Sequence, residues 1–423
     1  MVHACQSEEC VMSRSSIRVG LDIGTTKIAA VIARIEEEDS TPTIIGVGTS
    51  PCEGLKRGVV VDLEKTVSAI SKAVNEAERM ADVEIKEAYV GIAGDHIKSL
   101  NSRGVIAVSR ADNTITDKDI ERVIDAAKAI RLPDEREIIH VIPQGYIVDN
   151  QDGIKNPLDI SGVRLEAEVH IVTGAITSIQ NVIKCVNRAN IDVKDLVLQP
   201  LASSYAVLTR DEKELGCAVL DIGGGTTDLA LFQDEAIRYT SVIGLGGKNV
   251  TSDIAIGLRT PIEYAEYIKI KHGYALRSMI PKNAVIEVPG PGNREPRSVS
   301  LDILGAVIEP RMEELFTLAK HEIERSEYGS LLGAGIVLTG GASLLRGCAE
   351  LAEQVFDMPV KIGYPKCFNG LTDINDNPAY ATVLGLILYG GLGPGGADQY
   401  FGSRPGWFGR FADYVKRMFR DFI

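Results

Sequence analysis

The chain has 423 residues, 45% of them hydrophobic and 24% charged, with a formal net charge of −13. At roughly 150 residues per domain that is room for about three domains with substantial cores. The acidic balance argues against a general nucleic-acid binder; seven scattered cysteines with no Cys-x-x-Cys pair and no paired histidines argue against a zinc site or a disulfide framework.

Residues 1–16 form a polar extension without the apolar centre of a signal peptide, and no apolar run reaches the 18 residues needed to span a membrane. The first predicted strand, 17–23, ends in Asp22-Ile-Gly24-Thr25-Thr26-Lys27, and a second follows at 28–33. Strands are expected at 43–49 and 58–61. A helix carries Val67, Ile70, Val74 and Ala77 on one face. Strands are predicted at 88–93 and 105–109, and Thr116 with Asp119 has the spacing of a helix N-cap. Residues 137–149 read as two strands on either side of Pro143, 165–174 as a strand and 176–189 as a helix. The block 85–165 has no phosphate loop and reads as an inserted subdomain.

At 197–206 a strand end runs into a helix with Pro200 in its first turn. Gln199 stands there either as a group that orients water or as a buried amide satisfied by backbone. The next stretch, Ala218-Val-Leu-Asp221-Ile-Gly223-Gly224-Gly225-Thr226-Thr227-Asp228-Leu-Ala-Leu-Phe232, predicts a hairpin closed by a glycine-rich turn. Bare glycine backbone approaches a ligand closely, and successive N–H groups in such a turn form a nest for anions. Thr226 and Thr227 add hydroxyl donors, and Asp221 is placed to hold hydrated Mg²⁺.

This stretch repeats the first one. Leu21-Asp22-Ile23-Gly24 matches Leu220-Asp221-Ile222-Gly223, and Thr25-Thr26 matches Thr226-Thr227. Gly224 and Gly225 then form an insertion, and Lys27 falls opposite Asp228. A repeated strand–turn–strand predicts two related domains with a nucleotide held between their turns.

Further on, Lys248-Asn249 breaks the Walker A spacing, and no G-x-G-x-x-G fingerprint occurs. Helices are expected at 251–256, 261–272 and 301–325, with strands and a loop across 281–297. At 335–345 a buried strand meets Gly340-Gly341-Ala342 and a helix predicted over 343–356, whose N-terminus favours an anion or a flat polar edge. A last apolar helix, 380–389, precedes a glycine-rich tether, 390–406.

The tail 407–423 is amphipathic. Phe408, Phe411, Val415, Met418 and Phe422 share a face flanked by Trp407, Tyr414 and Phe419, with Arg410, Lys416, Arg417 and Arg420 on the polar side or its margins. That combination describes a helix lying in an anionic membrane interface, against the alternative of a helix docked on the protein's own core.

The ordered motifs DIGTTK, QPLASSYA, DIGGGTTD and LTGGASLL resemble the actin/Hsp70/sugar-kinase ATPase superfamily. The GVVVDLE run from Gly58, LASSYAVLTRDEKELG, residues 251–273 and the tethered tail resemble more closely the FtsA family of bacterial division proteins. The resemblance implies an α/β, actin-like two-lobed fold: subdomain 1A at 17–85 and 167–205, an inserted 1C at 86–166, 2A at 206–243 and 304–389 with a return to 1A, and 2B at 244–303. It implies ATP and Mg²⁺ between the lobes, self-association into filaments, and contact through 2B with the C-terminal tail of FtsZ. It further implies tethering of FtsZ filaments to the cytoplasmic membrane and recruitment of later division proteins. By family position Glu266 and Lys269 approach the adenosine. Relatives with robust hydrolysis often carry glutamate where this chain has Gln199, so slow turnover is expected, with nucleotide acting as an assembly switch. Two alternatives share the motifs: a PilM-like cytoplasmic partner of a membrane assembly, and a kinase of the superfamily.

Overall fold

The computed structural model describes residues 15–36, 41–109, 112–290, 292 and 295–392. The extension up to residue 14, the tether from 393 onward and the whole tail, from Trp407 to Phe422 and beyond, lie outside the described residues.

β1 (Ser15–Ile23), β2 (Lys27–Glu36) and β3 (Thr43–Pro51) form an antiparallel meander with a buried apolar face. β1 takes in Ser15 and Ser16, which the sequence reading left in the extension, because they pair with Glu36 and Ile35. A two-residue turn with Arg57 and Gly58 both at positive φ, 50° and 74°, joins β4 (Leu55–Lys56) to β5 (Val59–Val60). Asp62 then caps α1 (Leu63–Ala81) by accepting the Lys65 N–H at 3.1 Å, and α1 buries Ala69, Ile70, Ala73, Val74 and Ala77.

β6 (Glu87–Ile92) runs parallel to β1 and belongs to the first sheet. The insertion follows it: β7 (Lys98–Ala107), α2 (Asp117–Lys128), β8 (Arg136–Val148), β9 (Gln151–Ile154) and β10 (Arg164–Ala175) build a sheet in the order β7-β10-β8-β9. The limits expected at 86 and 166 therefore move to 98 and 175, since β10 pairs along its length with β7 and β8. β7 starts well before the predicted strand because Ser99, Asn101 and Arg103 mask its alternation. Pro143 does not divide β8. It stands at a register shift where Glu168 faces Gly145 and Val169 faces Pro143, so a bulge absorbs the missing N–H and Gln144 is the extra residue. Thr116 does start α2, donating its N–H and hydroxyl to Asp119 at 3.1 and 2.7 Å.

α3 (Ile176–Arg188) and β11 (Asp192–Leu198), parallel to β6, return the chain to the first lobe, and α4 (Gln199–Val207) and α5 (Arg210–Leu215) lead out of it. The second lobe opens with the meander β12 (Cys217–Ile222), β13 (Thr227–Gln233) and β14 (Ala236–Ile243). α6 (Gly247–Gly257) begins earlier than expected because the Asn249 side chain caps the Gly246 N–H at 3.0 Å. α7 (Ile262–His272) and α8 (Leu301–Arg325) follow as predicted, whereas the hairpin of β15 (Val285–Val288) and β16 (Arg297–Ser300) runs beyond the expected limit at 297 up to the start of α8. β17 (Ile336–Thr339) lies parallel to β12. The helix expected over 343–356 is instead a 3₁₀ turn, Gly341–Leu344, and then α9 (Cys348–Phe356), interrupted by Gly347 at φ 77°. β18 (Val360–Ile362) ends the second sheet, β19 (Asn369–Gly370) pairs with β3, and α10 (Thr372–Asn375) and α11 (Ala381–Tyr389) complete the described chain. Gly390–Leu392, the start of the expected tether, is still a 3₁₀ turn.

The two main sheets are copies. β3-β2-β1-β6-β11 and β14-β13-β12-β17-β18 have the same strand order, with three antiparallel strands followed by two parallel ones. Each lobe has its own core, and a third cluster joins them, uniting Ala29 and Val31 of β2, Leu201 of α4, Val219 of β12, Ala230 of β13 and Leu384 of α11. α4 and α11 cross within it in backbone contact: a Cβ on Gly385 would fall 1.8 Å from the Ala202 carbonyl oxygen. α4 thus starts where both hairpins end.

Candidate functional site

The hairpin turns of the two lobes are of equal length. Ile23 pairs with Ile28 across Gly24-Thr25-Thr26-Lys27, and Ile222 with Thr227 across Gly223-Gly224-Gly225-Thr226. The Gly24 N–H donates to Lys27 O at 3.0 Å, and the Gly223 N–H to Thr226 O at 2.9 Å. Register therefore removes the insertion inferred from sequence: Thr25 and Thr26 match Gly224 and Gly225, Lys27 matches Thr226, and Asp228 matches Ala29. The Thr-Thr pairs sit at different positions in the two turns.

The turns face each other. A Cβ on Gly224 would come within 2.3 Å of the Thr26 hydroxyl, and one on Gly225 within 2.6 Å of the Thr25 hydroxyl. Only glycine permits that approach. Thr25 also accepts the Gly58 N–H at 3.1 Å, fixing the first turn to the β4–β5 hairpin.

Below the turns lie Asp22 and Asp221, and α4 holds both. Gln199 Nε2 donates to Asp22 Oδ1 at 2.8 Å, and one helical turn later the Ser203 hydroxyl donates to Asp221 Oδ2. Thr382 on α11 donates to the same oxygen at 2.9 Å. Burial pushes the Asp22 carboxyl up to about 7, against the pull of Lys27 and with help from Asp221. Burial also raises Asp221, opposed by its two hydroxyl donors and Lys27. Asp228 stands well above the usual carboxylate range, through burial and then the neighbouring Asp221. It accepts from Thr226 at 3.0 Å on Oδ2, while Oδ1 is buried and unpartnered. Lys27 Nζ donates to Ala379 O at 2.8 Å and lies 3.9 Å over the Tyr380 ring, and burial lowers its pKa.

The second lobe's remaining candidates gather beside Gly223. The first N–H groups of α6 close on the turn, Gly247 to Gly223 O at 2.9 Å and Lys248 to Gly224 O at 2.8 Å. Lys269 Nζ donates to Gly247 O, Thr251 Oγ1 and Glu266 Oε2 at 3.1, 2.9 and 2.7 Å. A Cβ on Gly247 would lie 3.2 Å from Ala342 and 3.4 Å from Lys269 Nζ, so the Glu266–Lys269 pair and Gly340-Gly341-Ala342 border one space. Gly340 has φ 82°, and a Cβ there would sit 2.4 Å from Asp221 Oδ1. The 3₁₀ turn, rather than a helix N-terminus, follows it.

Sequence reasoning gave no role to Ser203, Thr382 or Asp228. Ser203 had a signal, standing four residues after Gln199 on a predicted helix and so on the same face. Thr382 had none.

The chain matches two family models: "Cell division protein FtsA" over residues 218–385 and "SHS2 domain inserted in FTSA" over 94–173, the latter close to the limits of the inserted sheet. It is 50% identical over 372 residues to the cell division protein FtsA of Pseudomonas aeruginosa, covering 88% of each chain. Among solved structures, the PilM–PilN type IV pilus biogenesis complex superposes with a TM-score of 0.64 at 18% identity, over 88% of this chain and 98% of that one. MreB5 of Spiroplasma citri bound to ADP superposes at 0.52 and 15% identity, over 88% and 95%. At these identities the two structures establish the actin-like α/β fold. On the sequence relationship, this chain belongs to the FtsA family of cell division proteins.

Proposed function

We propose that the chain binds Mg-ATP between its lobes, polymerises, and tethers FtsZ filaments to the inner face of the cytoplasmic membrane at the division site, where it helps recruit later division proteins. The observation that carries the nucleotide reading is the opposed pair of turns above Asp22 and Asp221, both held by α4. In this reading Gly24, Thr25, Thr26 and Lys27 of the first turn and Gly223, Gly224, Gly225, Thr226 and Thr227 of the second hold the phosphates. Glu266, Lys269, Gly340, Gly341 and Ala342 border the nucleoside. The solved MreB5, of like fold, was bound to ADP, which supports the assignment.

The residues present suit a hydrated cation. Among the described residues no three His, Cys, Asp or Glu side chains gather to ligate a bare ion, whereas Asp22 and Asp221 can accept from its water shell. Bound Mg-ATP would supply the reactive phosphoryl group. Gln199, whose amide N–H is spent on Asp22, keeps its oxygen to orient a water but offers no basic carboxylate. Slow hydrolysis with nucleotide as an assembly switch follows.

The remaining parts rest on family membership, on one surface of the second lobe and on the sequence of the tail. Exposed apolar side chains on 2B, among them Ile256, Ile270 and Val285, suit a docking FtsZ tail. The tail from Trp407 to Phe422 suits an anionic bilayer. Among the described residues no helix is long and apolar enough to cross a membrane. A PilM-like role is the competing reading; the PilM–PilN structure shares the fold alone.

Liposome co-sedimentation of the full chain and a chain stopped at Gly406 tests the tether: only the former should pellet. Equal behaviour of the two would refute it. Binding of the FtsZ C-terminal peptide then separates the division role from the PilM-like one, and loss of Mg-ATP thermal stabilisation in Asp221→Ala tests the nucleotide site.

A further inference from the structure

The segment LASSYAVLTRDEKELG does more than lead from α4 to the second hairpin. Leu201, Tyr205, Leu208, Arg210 and Lys213 line a cavity of about 80 Å³ together with Phe232, Glu235 and Ile237. The cavity is built, not incidental. Thr209 and Glu212 cap α5 reciprocally, and Glu212 forms an ion pair with Lys361 beside it. The Glu235 and Asp234 N–H groups bond to Lys213 O and Glu214 O at 3.0 and 3.3 Å, pinning α5 to the β13–β14 turn.

Lys213 Nζ lies 4.7 Å over the Tyr205 ring and 5.4 Å over Phe232. Among the described residues it has no carboxylate at ion-pair distance and no hydrogen-bond acceptor. Glu235, the acid on the cavity wall, is already engaged by Arg210 Nε at 2.7 Å and by Lys155 of the insertion at 3.5 Å. Arg210 and Lys155 thus occupy Glu235, and Lys213, lying over two aromatic faces, has no carboxylate of its own at ion-pair distance among the described residues.

We propose that this cavity is a second binding site, separate from the inter-lobe cleft, for a small carboxylate held on the Lys213 ammonium. The carboxylate is either the side chain of an acidic residue presented by a peptide or a free short-chain acid. A cavity of about 80 Å³ is well above the roughly 10–15 Å³ that admits a single water and far below a drug-sized pocket, which suits a ligand of a few heavy atoms such as a glutamate side chain or propionate. The walls of Leu201, Leu208, Phe232 and Ile237 favour methylenes behind a single negative charge. A phosphate dianion would have to shed its hydration against the same apolar walls. Burial pushes Lys213 down to about 8, against the pull of Cys217 and Glu235, and a bound carboxylate would raise it again.

The test is pulse acylation of the full-length protein's lysines with acetic anhydride, read by mass spectrometry. The probes are propionate and acetyl-Gly-Glu-Gly-amide, with phosphate and chloride at equal ionic strength as controls. At ten times Kd, Lys213 labelling should fall roughly elevenfold with other lysines unchanged, because about one site in eleven stays free. Protection by both probes, or by one alone, supports the site and identifies the source: a free acid if only propionate acts, a presented side chain if only the peptide acts. No protection by either, or equal protection by phosphate or chloride, overturns it. In Lys213→Gln the rise in melting temperature caused by the effective probe should vanish, and an undiminished rise would equally overturn it. Should that variant not fold, the labelling of the wild-type chain still decides.

Discussion

His170, on β10, ties the inserted sheet to the second lobe, and its protonation should loosen that tie. It is 1% exposed. Nδ1 meets Asn101 Oδ1 at 2.7 Å and Nε2 meets Thr240 Oγ1 at 2.9 Å. Asn101 Nδ2 donates to Arg238 O at 3.1 Å, which fixes the amide so that its oxygen accepts from Nδ1–H. Nε2 is then the acceptor of the Thr240 hydroxyl, and a second ring proton would force that hydroxyl to turn away. Around this centre Gln144 Nε2 donates to Ile237 O at 2.8 Å and Ser99 to Thr240 O at 2.8 Å, so side chains of the insertion bond the edge of β14.

Burial, and then the nearby His140, depress His170 from 6.5 to about 3. The sign follows from the depressed value. The open state takes up a proton below 6.5 and the closed one does not, so stability is complete above 6.5 and drains away as pH falls toward 3. At pH 5 the gap of 1.5 units below 6.5 corresponds to about 2 kcal/mol. Hydrogen exchange of the β7, β10 and β14 amides reads this local opening. Between pH 7 and pH 5 their protection factors should drop roughly thirtyfold more in the wild type than in His170→Gln. The comparison must be between the two proteins. Asp22 at about 7 and Asp195 at about 6 are raised by burial and gain stability as pH falls, offsetting the histidine in any absolute curve. Parallel pH dependence in the two proteins would refute the reasoning.

Three further outcomes follow from the inter-lobe site. Gly340→Ala places a Cβ at φ 82° and 2.4 Å from Asp221 Oδ1, so about 2–5 kcal/mol should be lost in denaturant titration; an unchanged midpoint would sink the close-approach argument. Ser203→Ala removes one of two hydroxyl donors from the buried Asp221 carboxylate and should cost about 1.5–3 kcal/mol by the same measurement, with Ser204→Ala as the helix-propensity control. Gln199→Glu sets a second carboxyl beside Asp22, so the pair should share a proton at neutral pH; thermal melts should show stability falling more steeply from pH 6 to pH 8 than in the wild type. A flat difference between those two melts over that range would mean that the new carboxyl does not face Asp22.

What could be read from the sequence was whatever local pattern dictates. The two hairpins, α1, α3, α8 and α11 follow from apolar periodicity and caps, and the repeated Asp-Ile-Gly announced two related lobes whose sheets do share one topology. What could not be read was whatever register or tertiary pairing decides. β10 looks like the start of a returning first lobe until its partners are known, and Pro143 looks like a strand end until the bulge opposite it is seen. Gln199 and Ser203 share a helix face by spacing alone, yet nothing local says that this face meets two aspartates from two sheets. By sequence Lys27 is either a counter-charge for phosphate or a solvated lysine, and nothing local shows that the fold sets it against the Ala379 carbonyl and the Tyr380 ring.

The corrected alignment of the turns explains why two copies of one hairpin had to diverge. Each lobe supplies a four-residue turn in the same register, and the fold brings the turns face to face. Were the second turn also to carry threonines, Cβ atoms at 224 and 225 would stand 2.3 and 2.6 Å from the Thr26 and Thr25 hydroxyls. One copy can present side chains only if the other presents bare backbone. The first turn accordingly carries hydroxyls and the Lys27 cation, and the second carries bare glycine backbone whose Gly223 and Gly224 carbonyls are tied to α6. The same asymmetry continues one layer down, where Ala29 occupies the position that Asp228 fills in the second lobe. Had both copies kept an acid there, a fourth buried carboxylate would join Asp22, Asp221 and Asp228, whose pKa values are already raised. Pseudo-symmetry thus survives in the sheets, where it costs nothing, and is broken at the contact, where two identical surfaces could not meet.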